Sequence, residues 1–163
     1  MVENAPRCSE DNVDQAPAQI RPATAVDLVA ILHLDPLAVA GDTARADLLS
    51  RYVAFGECHV HLTGRAITGF VVRRPAHFFG RDFIELLVVD APYRRAGIGS
   101  ALLQYALGTA LSDRVFTSTN VSNRPMRALL QAAEWSFSGQ LEGLDADDPE
   151  LFFYKTRLLT WGR

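Results

Sequence analysis

Arg94, Arg95, Gly97 and Gly99 stand close together, between an apolar run that ends at Val89 and a helical pattern that begins near Ala101. Two arginines and two glycines in that setting suit a bulky anion. The first turn of a helix leaves backbone N–H groups unpaired at the positive end of the helix dipole. Glycine lets the backbone come close to the anion, and arginine adds charge at the rim. The run Arg94-Arg95-Ala96-Gly97-Ile98-Gly99-Ser100 is therefore a candidate cradle for a phosphate or pyrophosphate. It is not a dinucleotide fingerprint. Leu102 stands where the third glycine belongs, the first glycine comes well after the strand end, and the next strand closes on Thr119-Asn120 with no acid to hold a ribose.

Other residues invite chemistry less strongly. Glu85 lies inside the apolar run, where a carboxylate must be paired, hydrated or functional. Strand alternation places Phe83, Glu85 and Leu87 on one face. His59 and His61 share a strand face at a spacing that zinc accepts, but no third or fourth ligand follows at a recognisable distance, so no metal is expected. Cys58 points the other way and reads as small buried filler, and Cys8 lies in a polar tail. Asp145, Asp147, Asp148 and Glu150 form either a solvated turn or an acidic rim for a cationic substrate. His77-Phe78-Phe79, before the Glu85 strand, either lines a pocket for a second substrate or covers the sheet edge.

These groups need a scaffold. The chain has 163 residues, 48% hydrophobic and 21% charged, which suits one globular domain. Its net charge of −3 argues against a general nucleic-acid binder. No apolar run approaches ~18 residues and the N-terminus has no apolar signal core, so a soluble cytoplasmic protein is expected. Two distant cysteines make no disulfide framework. Residues 1–18 hold few large apolar side chains and read as a disordered tail before a domain over residues 19–163.

The patterning predicts a short strand at Gln19-Ile20-Arg21, a helix capped by Thr24 with Asp27, and a second helix from Thr43 to about Ala54. Strands follow at Cys58–Leu62 and Ile67–Arg73, then a loop from Arg74 to Arg81, then a strand from Phe83 to Val89 covered on both faces. A helix over Ala101–Leu111, a strand over Val115–Val121, a helix opened by Pro125 and two closing strands complete the order. The expected fold is a mixed-sheet α/β or α+β domain. Its hairpin is antiparallel, and one right-handed parallel crossover runs from Phe83 to Val121.

Over about residues 19–158 this pattern resembles the GNAT superfamily of N-acetyltransferases. Arg94, Gly97 and Gly99 match the family's Arg/Gln-x-x-Gly-x-Gly/Ala motif, and Leu87 and Val89 match its strand. Asn123 and Met126 fall at the asparagine and alanine of its Asn-x-x-Ala helix entry. The resemblance implies a mostly antiparallel sheet with helices on both faces and one parallel pair splayed around an acyl-CoA. Leu87, Val88 and Val89 would hydrogen-bond the pantetheine arm through their backbone. The amides of Arg95 to Ser100 would take the pyrophosphate, and Asn123 would touch the arm. It implies acetyl-CoA as co-substrate, a primary amine on a small molecule or a protein as acceptor, and Glu85 as base or amine contact. Homodimers are common among such domains, so the resemblance leaves a homodimer possible here. One departure stands out. The family's tyrosine, which protonates the departing thiolate, falls at Leu130, and its helix-ending Gly-Phe falls at Glu134-Trp135. That substitution keeps a competing reading open, a CoA-binding sensor or interaction module without catalysis.

Overall fold

The computed structural model describes residues 19–157. The tail expected over residues 1–18 lies outside the described residues. Seven strands form one sheet in the order β1-β2-β3-β4-β5-β7-β6. They are β1 (Gln19–Pro22), β2 (Cys58–Thr63), β3 (Ala66–Phe78), β4 (Arg81–Val89), β5 (Arg114–Asn120), β6 (Ser136–Leu141) and β7 (Glu150–Thr156). The β4–β5 pair is parallel and the other neighbours are antiparallel. The mixed sheet and the parallel crossover are thus as the patterning predicts.

The helices are α1 (Leu28–Leu34), α2 (Pro36–Val39), α3 (Thr43–Ala54), α4 (Ile98–Gly108) and α5 (Arg124–Ala132). They lie in two layers because the sheet buries two apolar faces. Ile98, Leu102, Leu103 and Ala106 of α4 and Leu130 of α5 pack on Val71, Ile84 and Val115. On the other face, Ile31 of α1 and Leu49, Tyr52 and Val53 of α3 pack on Val60, Phe70 and Val72. None of the helices among the described residues is long and apolar enough to cross a membrane.

Two expectations need correction. The segment after Arg73 is not a loop. β3 continues to Phe78, pairing Arg74 with Phe83 and Phe78 with Arg81. Pro75 and a left-handed Ala76 (φ 51°) fall in the irregular stretch between those rungs, where no ladder bond is lost. The second correction concerns Glu85. Val72 pairs with Leu86 but Arg73 pairs with Ile84, so Glu85 is an extra residue on β4, a β-bulge. Consequently Ile84 and Leu87 pack on the α4 face, while Leu86 and Val88 pack on the α3 face. Leu87 does not share a face with Glu85 as strict alternation requires.

Candidate functional site

The bulge coincides with a fork in the sheet. β4 pairs with β5 at Asp82↔Val115, Phe83↔Phe116 and Ile84↔Thr117, and no further. β5 then follows β7 through Ser118, Thr119 and Asn120. From Glu85 to Val89 the edge of β4 that faces β5 is open. The apolar residues Leu86 to Val89 are therefore only half-buried, although their sequence reads as a fully covered strand.

A cleft of about 240 Å³ occupies the fork. Leu87 and Val88 of β4, Ser118 and Thr119 of β5, Asn123 just before α5 and Met126 within it line it. Val89 lies on the same open edge, and its carbonyl accepts a hydrogen bond from Arg94 Nε at 3.2 Å. The Asn123 side-chain oxygen caps α5 by accepting from the Met126 N–H at 3.2 Å. That leaves its amide NH₂ without a partner among the described residues.

The cradle begins just beyond Val89. The Ala91–Tyr93 turn is a 3₁₀ helix, and Arg95 and Gly97 then adopt left-handed backbone, φ 67° and 80°. Gly97 is the N-cap of α4, and open space surrounds the position its Cβ would take. Gly99 is different, since a Cβ there would lie 3.3 Å from Leu129 Cδ2, so it also serves close packing between α4 and α5. Among the described residues, no backbone N–H from Arg95 to Ser100 has a hydrogen-bond partner. Arg94, Arg95, Ala96, Gly97 and Ser100 are exposed, Gly99 is half-buried, and Ile98 alone is buried, anchoring the turn in the core. Consecutive free donors at a helix start, with two exposed arginines, fit a pyrophosphate.

At the other end of the cleft Glu85 belongs to a polar cluster that the sequence does not announce. Its carboxylate lies 3.5 Å from Arg74 Nη1 and 3.9 Å from His77 Nε2. Arg74 Nη1 is 2.8 Å from His77 Nε2, its Nε is 3.6 Å from Glu57, and its guanidinium covers the Tyr52 ring at 5.3 Å. Burial, with the Glu85 carboxylate behind it, pushes the Tyr52 phenol up. Asp35 and Arg45 form the opposite wall, where Asp35 caps α2 and accepts from Arg45 Nε and Nη2, each at 3.0 Å. Asp35 directly before Pro36 was the signal for that cap.

The remaining candidates fall away from the cleft. His61 Nδ1 is 2.8 Å from the Thr68 hydroxyl, and His59 packs against Tyr105. Burial, then Arg73, lowers the His59 pKa, and burial lowers that of His61. No group of three or more metal-ligating side chains comes together among the described residues. Cys58 is fully buried, and burial pushes its thiol up to about 12, so it is no nucleophile near neutral pH. Asp148 accepts from the Ser122 hydroxyl at 2.6 Å and from its N–H at 2.9 Å, and Asp145 accepts from Asn120 at 2.8 Å. These contacts pin the acidic turn to the β5–α5 junction. Leu130 is fully buried between α4 and α5 and does not line the cleft.

This arrangement has relatives. The acetyltransferase (GNAT) family model matches residues 28–135. A GNAT-family acetyltransferase of known structure from Bacillus cereus is 32% identical, with a TM-score of 0.80, covering 88% of this chain and 99% of its own. The yncA protein of Salmonella typhimurium, solved with acetyl-CoA, has a TM-score of 0.69 at 15% identity, covering 86% of this chain and 94% of its own. Naa50 of Arabidopsis thaliana, solved with the bisubstrate analogue CoA-Ac-MVNAL, has a TM-score of 0.67 at 19% identity, covering 85% and 98%. The latter two share the fold. No curated protein matches the sequence. With the family model over well over half of the chain and the Bacillus cereus relative aligned across nearly all of it, the chain belongs to the GNAT family of acetyltransferases.

Proposed function

We propose that the protein moves an acetyl group from acetyl-CoA directly to a primary amine. The observation that carries this reading is the fork itself. An open strand edge from Glu85 to Val89 and, beyond the hydrogen-bonded Asp90–Arg94 turn, the unpaired amides of residues 95–100 together suit a pantetheine arm ending in a pyrophosphate. Acetyl-CoA supplies the activated acetyl thioester when bound.

The chain's own groups divide the rest of the work. The cradle and Asn123 hold the CoA end, so that acetyl and amine meet in one cleft, and such positioning is a large share of catalysis between two substrates. Backbone N–H groups on the open edge of β4 are fixed donors for developing oxyanion charge. Glu85 stands where the fork opens and receives the ammonium or takes its proton. Arg74 and His77 fix that carboxylate from the other side. Direct transfer is favoured because the only cysteine among the described residues, Cys58, is sealed in the core. The apolar Leu130 favours the alternative, a CoA-binding module without turnover.

Two measurements separate these readings. Millimolar acetyl-CoA raises the thermal midpoint under both, because a ligand of the native state stabilises it by mass action. Thiol release in the presence of an amine panel occurs only under the first. Absence of a thermal shift removes both, and a shift without any acetylated product selects the module.

A further inference from the structure

Helices α1 and α3 cover β2 and β3, and among the described residues no helix covers the same face of the sheet over β5 and β7. That bare half is aromatic. Phe116 of β5 faces Tyr154 of β7 with ring centroids 5.7 Å apart, and Ser118 pairs with Phe152. Phe78, from the extension of β3, reaches across all of it. Its ring lies 5.2 Å from Phe83, 5.1 Å from Phe116 and 5.6 Å from Phe152, the last nearly parallel at 19°. Phe79 meets Phe78 edge-on at 5.0 Å and is 92% exposed.

Folding alone does not select this tip. Phe79 holds φ 49°, a backbone region that a bulky side chain adopts at a cost of order 1 kcal/mol, and most of its ring remains in water. Nor is the patch remote from the cleft. Phe83 precedes the bulged Glu85 by two residues, His77 lies beside both, and Ser118 lines the cleft next to Phe152. An amine placed at Glu85 thus has an aromatic wall on which its substituent can lie.

We propose that the acceptor is an amine bearing an aromatic or comparably large apolar group, held against Phe78 and Phe79 while its nitrogen meets Glu85. The inference rests on the acetyl-transfer reading and names its substrate class. The β3–β4 hairpin then sets acceptor choice, while Asp145 and Asp148 of the β6–β7 turn are engaged with Asn120 and Ser122.

The test titrates phenethylamine, ethanolamine and putrescine into CoA-saturated full-length protein by calorimetry, with the acetyl-CoA melting shift recorded separately. Phenethylamine is expected to bind at least about tenfold more tightly than ethanolamine, the scale of burying a ring face. Phe79→Ser, at an exposed site, should remove most of that preference, and Phe78→Leu should weaken it while retaining an apolar core. Equal affinity for the three amines, or a preference that survives Phe79→Ser, overturns the proposal. A wild-type dimer that Phe79→Ser turns into a monomer overturns it as well, because a second copy then covers the patch. Loss of the acetyl-CoA shift instead brings down the underlying reading, so the two failures are distinguishable.

Discussion

The Thr117 hydroxyl donates to the Ile84 carbonyl at 2.9 Å, and it does so at the last rung that β4 and β5 share. Both residues are buried, so this bond closes the paired half of the sheet just below the cleft. Thr117→Val keeps the shape and leaves the carbonyl short of a donor. The expected cost is about 1 kcal/mol, a fall of about 3 °C in thermal midpoint, with weaker acetyl-CoA binding because the fork loses its hinge. Calorimetric melting and a binding titration check it. An unchanged midpoint and affinity would show that the bond is incidental.

The two cradle glycines should respond differently. Gly97→Ala forces an alanine into left-handed backbone in open space, costing about 1 kcal/mol of stability. It also places a methyl group in the anion site, so acetyl-CoA affinity should fall at least about tenfold. Gly99→Ala brings a methyl group against Leu129 Cδ2, which must give by a few tenths of an ångström, so acetyl-CoA affinity should fall less than in Gly97→Ala. Comparing the melting shift that acetyl-CoA induces in each variant separates cradle blocking from packing damage.

Glu85→Gln keeps the side-chain shape and removes the charge. If Glu85 takes the proton, kcat falls by roughly 10²–10⁴ while acetyl-CoA affinity holds. If it only binds the cation, KM for the amine rises and kcat survives. Arg74→Met is the companion, expected to raise KM by freeing the carboxylate from its fixed position. Wild-type kcat and KM for Glu85→Gln on an accepted amine would eliminate both roles.

Acid should destabilise the domain through His59 and His61. Both are buried and hold folded-state pKa values below the ordinary histidine value, His59 through burial and then Arg73, His61 through burial. The unfolded chain therefore binds protons first as pH falls. Their contribution is fully present above about pH 6.5 and is lost progressively below it. The thermal midpoint should decline from pH 7.5 to 5.5, and His59→Gln combined with His61→Gln should flatten that decline. The same slope in the double variant would place the acid sensitivity elsewhere.

Glu134 ends α5 in the left-handed conformation, φ 56°, with its N–H on the Gln131 carbonyl and the Trp135 N–H on the Leu130 carbonyl. The cap that the family builds with glycine is thus kept in shape by a residue that fits it poorly. Glu134→Gly should stabilise by up to about 1 kcal/mol, the relieved strain less the added freedom of the unfolded chain. Denaturant melts resolve a change of that size.

The sequence by itself determined the elements whose cause is local. α3 is capped by Asp42 and carries its apolar stripe, and Pro125 and Asn123 open α5. Gly97 before α4 and Gly99 in its first turn mark the cradle, because a left-handed turn and a helix start are properties of neighbouring residues. The parallel crossover followed from a buried strand, a helix and a second strand in succession. Only the tertiary structure decided how Glu85 is presented. A bulge moves one residue out of step without changing how apolar the strand is, so alternation misplaced Leu87. It also decided that Arg74 to Phe78 extend β3, since Pro75 and the polar residues around it read locally as a loop. Pairing with Phe83 and Arg81 across the sheet overrides that preference. The fork above Thr117, and the meeting of Arg74 and His77 with Glu85, depend on strands far apart in the chain, and hydrophobic periodicity carries no record of which strand lies beside which.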